Sequence, residues 1–108
     1  MTVAEMASKL ALKPIVAADA DREVTGGYTG DLLSWVMGRA QPGDAWVTIM
    51  SNANIVAVAT LADPAAVILA EGVTLEADVA ALAEAKGINV YTSIEDAFSV
   101  CGKLAALL

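Results

Sequence analysis

The alternation of apolar and polar positions divides the chain into short segments of two different periods. Val3, Met6 and Leu10 recur at helical spacing within residues 2–10, and Glu5 and Lys9 stand four apart as an ion pair on the water side. Pro14 opens a short extended segment, 14–17. A second helix draws its apolar surface from Leu32, Leu33, Trp35, Val36 and Met37, with Gly30 or Asp31 as its cap and Gly38 as a left-handed exit. The turn Gln41-Pro42-Gly43-Asp44 follows, and residues 45–50, rich in β-branched and aromatic side chains, read as a buried strand. Residues 55–62 carry β-branched residues that suit a strand. Asn52 or Asn54 as cap and Asp63-Pro64 as stop frame a helix instead, and the helix is the reading adopted.

The unbroken apolar run 66–70, ended by Glu71-Gly72, has the pattern of a central strand covered on both faces. Thr74 opens a helix with Leu75, Val79 and Leu82 on one stripe, Glu76, Glu84 and Lys86 toward water, and Gly87 as its end. Residues 88–91 form the next strand. Thr92 and Glu95 stand at capping-box spacing for a last helix whose face would be Ile94, Phe98, Cys101, Ala105 and Leu108. Strand and helix alternate throughout, which predicts an α/β fold: a three-layer α/β/α sandwich, single domain, with a mainly parallel sheet of four or five strands joined by right-handed crossovers. The length of 108 residues suits one domain spanning residues 1–108.

Composition changes this picture in three places. Hydrophobic residues make up 57% of the chain, which raises the question of a membrane span, but the most apolar stretch, 55–75, is broken by Asp63, Pro64, Glu71 and Gly72. No basic, apolar leader pattern opens the chain, and the single cysteine, Cys101, has no internal partner for a disulfide, so a cytoplasmic setting is expected. Thirteen acidic residues against six basic ones give a net charge of −7, which repels nucleic-acid backbones; neither nucleic acid nor membrane is an expected partner. The chain has no histidine, which excludes imidazole general-base catalysis, Ser-His triads and the usual zinc sites, and no metal or other cofactor is expected.

Candidate chemistry concentrates in the polar, glycine-rich segment 19–31. Gly26, Gly27 and Gly30 permit close backbone approach to a ligand, and the helix after them would offer free N–H groups to an anion. The spacing matches neither a P-loop, which needs a Lys after its last glycine, nor a dinucleotide fingerprint, and Asp31 at the helix start would repel phosphate. A tight turn between strand and helix is the competing reading. Arg22 beside Asp21 and Glu23 forms either a ligand clamp or a surface ion pair. Asp19, Asp21, Glu23 and Asp31 read as a solvated acidic loop in preference to a Mg²⁺ site. Cys101 falls on the apolar stripe of the last helix and reads as core; Tyr28 is the aromatic inside the glycine segment.

The segment Asp21-Arg22-Glu23-Val24-Thr25-Gly26-Gly27-Tyr28-Thr29-Gly30-Asp31-Leu32-Leu33 resembles the signature of the DRTGG domain family. The resemblance continues through Gly43-Asp44-Ala45-Trp46-Val47-Thr48-Ile49 and Asn54-Ile55-Val56-Ala57-Val58-Ala59 to Glu71-Gly72, nearly the whole chain. It implies a stand-alone member with a fold similar to the N-terminal domain of HPr kinase/phosphorylase. Similar domains sit between paired CBS modules in regulated pyrophosphatases and at the front of some phosphate acetyltransferases, as regulatory or dimer-forming parts, while catalysis belongs to other domains. Stand-alone members are sometimes labelled HPr serine kinases, a label this chain does not support, for it has neither the phosphate-binding Lys nor a base histidine.

Together these readings predict a non-catalytic regulatory or scaffold module, homodimeric, acting on a partner enzyme. The alternative is a sensor that binds a nucleotide or phosphorylated metabolite at the loop 25–30, with Asp21, Arg22, Thr25, Gly26, Gly27, Tyr28 and Gly30 as the candidate ligand-binding residues. An enzyme using carboxylates as acid and base is the third reading, with no catalytic residue assigned.

Overall fold

The computed structural model describes residues 1–108, with the element order α1 Val3–Lys9, β1 Lys13–Val16, β2 Gly26–Thr29, α2 Leu33–Arg39, β3 Asp44–Thr48, α3 Asn54–Ala62, β4 Ala66–Leu69, α4 Ala77–Ala85, β5 Val90–Thr92 and α5 Ala97–Leu107. The five strands form one sheet in the order β1-β5-β4-β3-β2. β2 to β5 run parallel, and β1 joins β5 antiparallel with a register shift between Pro14 and Val16.

This topology follows from the handedness of its connections. From β2 to β5 every step goes one place in the same direction, so crossovers of one hand put α2, α3 and α4 on one face of the sheet. The other face would stay bare, and α1 and α5, which are not crossovers, cover it. Two apolar clusters result. One joins Val36, Val56, Ala59, Val79 and Ala83 of the crossover helices to Trp46, Val67, Leu69 and Val90. The other joins Val3, Met6, Val100 and Leu104 of α1 and α5 to Ala45, Val47, Ile68 and Tyr91. Alternate residues of β3 and β4 thus feed opposite clusters, as the period of two requires, and all nine residues of the two strands are buried. The three-layer sandwich and the helix at 55–62 are as expected.

Local expectations failed where a polar side chain found a better partner. Glu5 makes no ion pair with Lys9; it closes a capping box with Thr2, whose hydroxyl accepts from Glu5 N–H while Glu5 accepts from Thr2 N–H. These bonds hold the Glu5 carboxyl below its ordinary 4.5. Neither Gly30 nor Asp31 caps α2: the position before the helix is Leu32, and the chain runs helically through Gly38 to Arg39. Neither Asn52 nor Asn54 caps α3, because Asn52 accepts from the Asn54 N–H while Ala53 takes the cap position. Helix α4 begins at Ala77, after the non-helical 74–76, and buries Val79 and Ala83, leaving Leu82 outward.

The last helix departs furthest from its expected face. Thr92 ends β5 and donates its hydroxyl to the Val73 carbonyl, so the cap is Asp96, which accepts from Ser99 N–H at 2.8 Å. That bond keeps the Asp96 carboxyl below its ordinary 3.8. The later start rotates the buried stripe to Val100 and Leu104, leaving Ile94 and Phe98 93% and 89% exposed, Ala105 and Leu108 exposed, and Cys101 half-buried.

Candidate functional site

The signature residues lie along the seam where β2 meets β3, and most of them serve that seam. Gly26-Gly27-Tyr28-Thr29 is a strand, in parallel register with Asp44, Ala45, Trp46 and Val47. A strand rich in glycine has little intrinsic stability; here the neighbours explain the composition. A Cβ on Gly26 would lie 2.6 Å from Asp44 Oδ1, and one on Gly27 would lie 3.2 Å from Leu104 Cδ2. The Asp44 carboxylate, buried to all but 7%, needs that space because it accepts from the Gln41 N–H at 2.8 Å and so fixes the turn into β3. Gly43, at φ +88°, has Thr25 directly over its α-carbon, and its carbonyl accepts from Thr25 N–H.

Arg22 forms no clamp with Asp21 or Glu23. Its Nη1 donates to Asp63 Oδ1 and its Nη2 to the Asp63 carbonyl, both at 2.7 Å. Asp63 is the left-handed C-cap of α3, so Arg22 neutralises the carbonyl end of a helix and ties it to the segment leading into β2. Glu23 pairs with the chain's amino terminus at 3.1 Å, and a single bridge links it to Thr2. Asp21 is exposed and makes no hydrogen bond through its side chain. Asp31 accepts from Thr48 Oγ1 at 2.7 Å and from Ile49 N–H at 3.0 Å, which fastens the β2–α2 connection to the end of β3. Gly30 donates to the Val47 carbonyl, accepts from the Trp46 indole at 2.9 Å, and lies under the Tyr28 ring.

Of the seven candidate residues, Gly27 and Tyr28 come together at a groove; Arg22, Thr25, Gly26 and Gly30 are occupied within the fold. The groove has a volume of about 220 Å³, runs between β2 and the end of α5, and has mostly apolar walls that include Thr29, Val47, Cys101 and Leu108. Acidic residues 19, 21, 23 and 31 form no metal-binding cluster. Trp35 points outward with the Arg39 guanidinium 3.8 Å above its ring, an arrangement legible beforehand only as helical i,i+4 spacing.

Sequence reasoning missed one polar residue that organises this end of the molecule. Asn89 is 2% exposed; its side chain accepts from Asp19 N–H and donates to the carbonyls of Asp19 and Ala65, at 2.8, 2.8 and 2.9 Å. It joins the loop after β1 to the start of β4. Its signal was an amide immediately before the strand β5, where a buried polar side chain demands a full set of partners.

No family model and no curated protein matches the sequence. Among solved structures, the chain is similar to the CBS and DRTGG domains of the regulatory region of Clostridium perfringens pyrophosphatase, a structure complexed with the activator diadenosine tetraphosphate. The match has a TM-score of 0.75 and 14% sequence identity, and it covers 95% of this chain and 45% of the pyrophosphatase fragment, less than half of that fragment's length. No helix of the protein is long and apolar enough to cross a membrane. The chain has a DRTGG-like fold, a five-stranded mixed sheet between two helical layers.

Proposed function

We propose that the 108 residues act as one cytoplasmic regulatory domain, non-catalytic and homodimeric, which works by docking on a partner enzyme. The observation that carries this reading is the use of the signature's polar groups in contacts with the chain itself. Arg22 is committed to Asp63, Glu23 to the amino terminus and Asp31 to Thr48 and Ile49, while the glycine strand lines an apolar groove. Such a segment shapes a surface for another protein more readily than it cradles an anion. The nearly bare Ile94 and Phe98 add apolar surface of the kind that docking uses. The pyrophosphatase domains, themselves a regulatory region, support the same reading.

A nucleotide sensor is the second reading, and what favours it is the activator bound to that similar regulatory region. The two are separated by thermal-shift measurements with diadenosine tetraphosphate, other nucleotides and phosphorylated metabolites on the parent and on Arg22→Ala. Ligand at 100 times its Kd would add about 2.7 kcal/mol, which moves the midpoint of a domain this size by roughly 10 °C or more. Docking without a small ligand predicts no such shift in either protein. A shift in the parent that disappears in Arg22→Ala would make the sensor the function and Arg22 its contact.

A further inference from the structure

The two edges of the sheet are built differently, and the difference points to where a second copy binds. An open edge presents unpaired N–H and C=O groups, and proteins that must not extend their sheets blunt it with charge, proline or a bulge. β1 carries all three devices: Lys13, Pro14 and the register shift between Pro14 and Val16. β2, the other edge, carries none; Gly26-Gly27-Tyr28-Thr29 keeps a regular four-residue register with β3 and has no charged side chain. Gly30 N–H donates to the Val47 carbonyl, so by the alternation of a strand the main-chain groups of Gly27 and Thr29 point away from β3. Gly27 and Thr29 are also the exposed residues of the strand.

We propose that β2 pairs antiparallel with β2 of a second copy, joining two five-stranded sheets into one of ten strands; the surface deepens, and rests on, the homodimer reading above. Centred on Tyr28, the pairing is self-complementary, as a two-fold interface must be. Gly27 of each copy exchanges main-chain hydrogen bonds with Thr29 of the other, and the two Tyr28 residues face each other at a close pair of about 4.5 Å between α-carbons. Electrostatics permits the same edge. Two copies of a chain with net charge −7 repel, yet none of the eight residues lining the groove beside β2 has a charged side chain, among them Cys101, Leu104 and Leu108. A second copy can therefore approach the walls of this groove without bringing side-chain carboxylates together.

Light scattering and amide hydrogen exchange on the parent and on Thr29→Lys, which restores the missing edge charge, test the assignment. The expected result is a parent mass of twice 11.0 kDa with slow exchange at Gly27 and Thr29 amides, and half that mass with fast exchange in Thr29→Lys at unchanged circular dichroism. A dimeric parent whose Gly27 and Thr29 amides exchange fast, or a dimeric Thr29→Lys, would overturn the β2 surface and leave the homodimer itself standing. A monomeric parent would overturn both. Should Thr29→Lys fail to fold, exchange in the parent alone decides.

Discussion

Gly26→Ala is the smallest change that tests whether the signature glycines serve the β2–β3 seam. The added methyl would sit 2.6 Å from Asp44 Oδ1, far inside van der Waals contact, so either the strand or the carboxylate must move. The strand is held by its register with β3, which leaves Asp44 to rotate and give up its bond to Gln41 N–H. Overpacking costs about 1–3 kcal/mol, and a hydrogen bond to a charged group is worth about 1.5–3 kcal/mol, so with partial relaxation a loss of roughly 2–4 kcal/mol is expected. At 4–8 °C per kcal/mol for a small domain, the midpoint should fall by about 8–32 °C by circular dichroism, with the same loss of stability read by urea titration. Because the clash is with one side chain, Asp44→Ala should remove most of the cost of Gly26→Ala when the two are combined. Gly102→Ala is the opposite control: its methyl meets nothing within 4 Å on the exposed side of α5, and it should stabilise by about 0.5–1 kcal/mol. A Gly26→Ala protein within about 0.5 kcal/mol of the parent, or an undiminished cost in the Asp44→Ala background, would refute the reasoning.

Three further outcomes are expected. Asn89→Ala strips partners from Asp19 N–H and the carbonyls of Asp19 and Ala65, and chemical denaturation should register a loss of about 2–4 kcal/mol with little change in m-value. Arg22→Ala breaks a partly exposed pair with Asp63 and should cost about 1 kcal/mol or less, diminishing in high salt. Asp96 and Glu5 both have carboxyls depressed by hydrogen bonds from helix-cap N–H groups, so they stabilise the fold above their ordinary values of 3.8 and 4.5, and that contribution disappears as pH falls through the lowered ones. Asp96→Asn should therefore flatten the acid limb of a stability profile as pH falls below the ordinary 3.8, and an unchanged limb would contradict the cap assignment.

The fold was legible where burial alone decides conformation. The run 66–70 can only be a covered strand, and Val3, Met6 and Leu10 mark one helical face whatever surrounds them. It was illegible where two capping side chains competed. Thr92 and Asp96 both offer an N-cap, and only the length of β5, set by pairing with β4 and β1, assigns Thr92 to the strand and thereby turns Ile94 and Phe98 outward. The spacing of Val100 and Leu104 behind Asp96 and Ser99 carried the right phase. The glycine segment had no strand signal of its own, since glycine is depleted from strands; β2 forms by pairing with β3, and the buried Asp44 carboxylate explains glycine at its first position. Arg22 was visible as a lone cation near the glycines, but its partner lies 41 residues away, beyond any local pattern.

The mass of the protein in solution, by light scattering at tens of micromolar, tests most directly the claim that this chain works as a homodimeric docking module. The expected mass is twice 11.0 kDa, with no dependence on added nucleotide. A mass of 11.0 kDa that doubles only on adding diadenosine tetraphosphate would contradict it and make ligand binding the primary event.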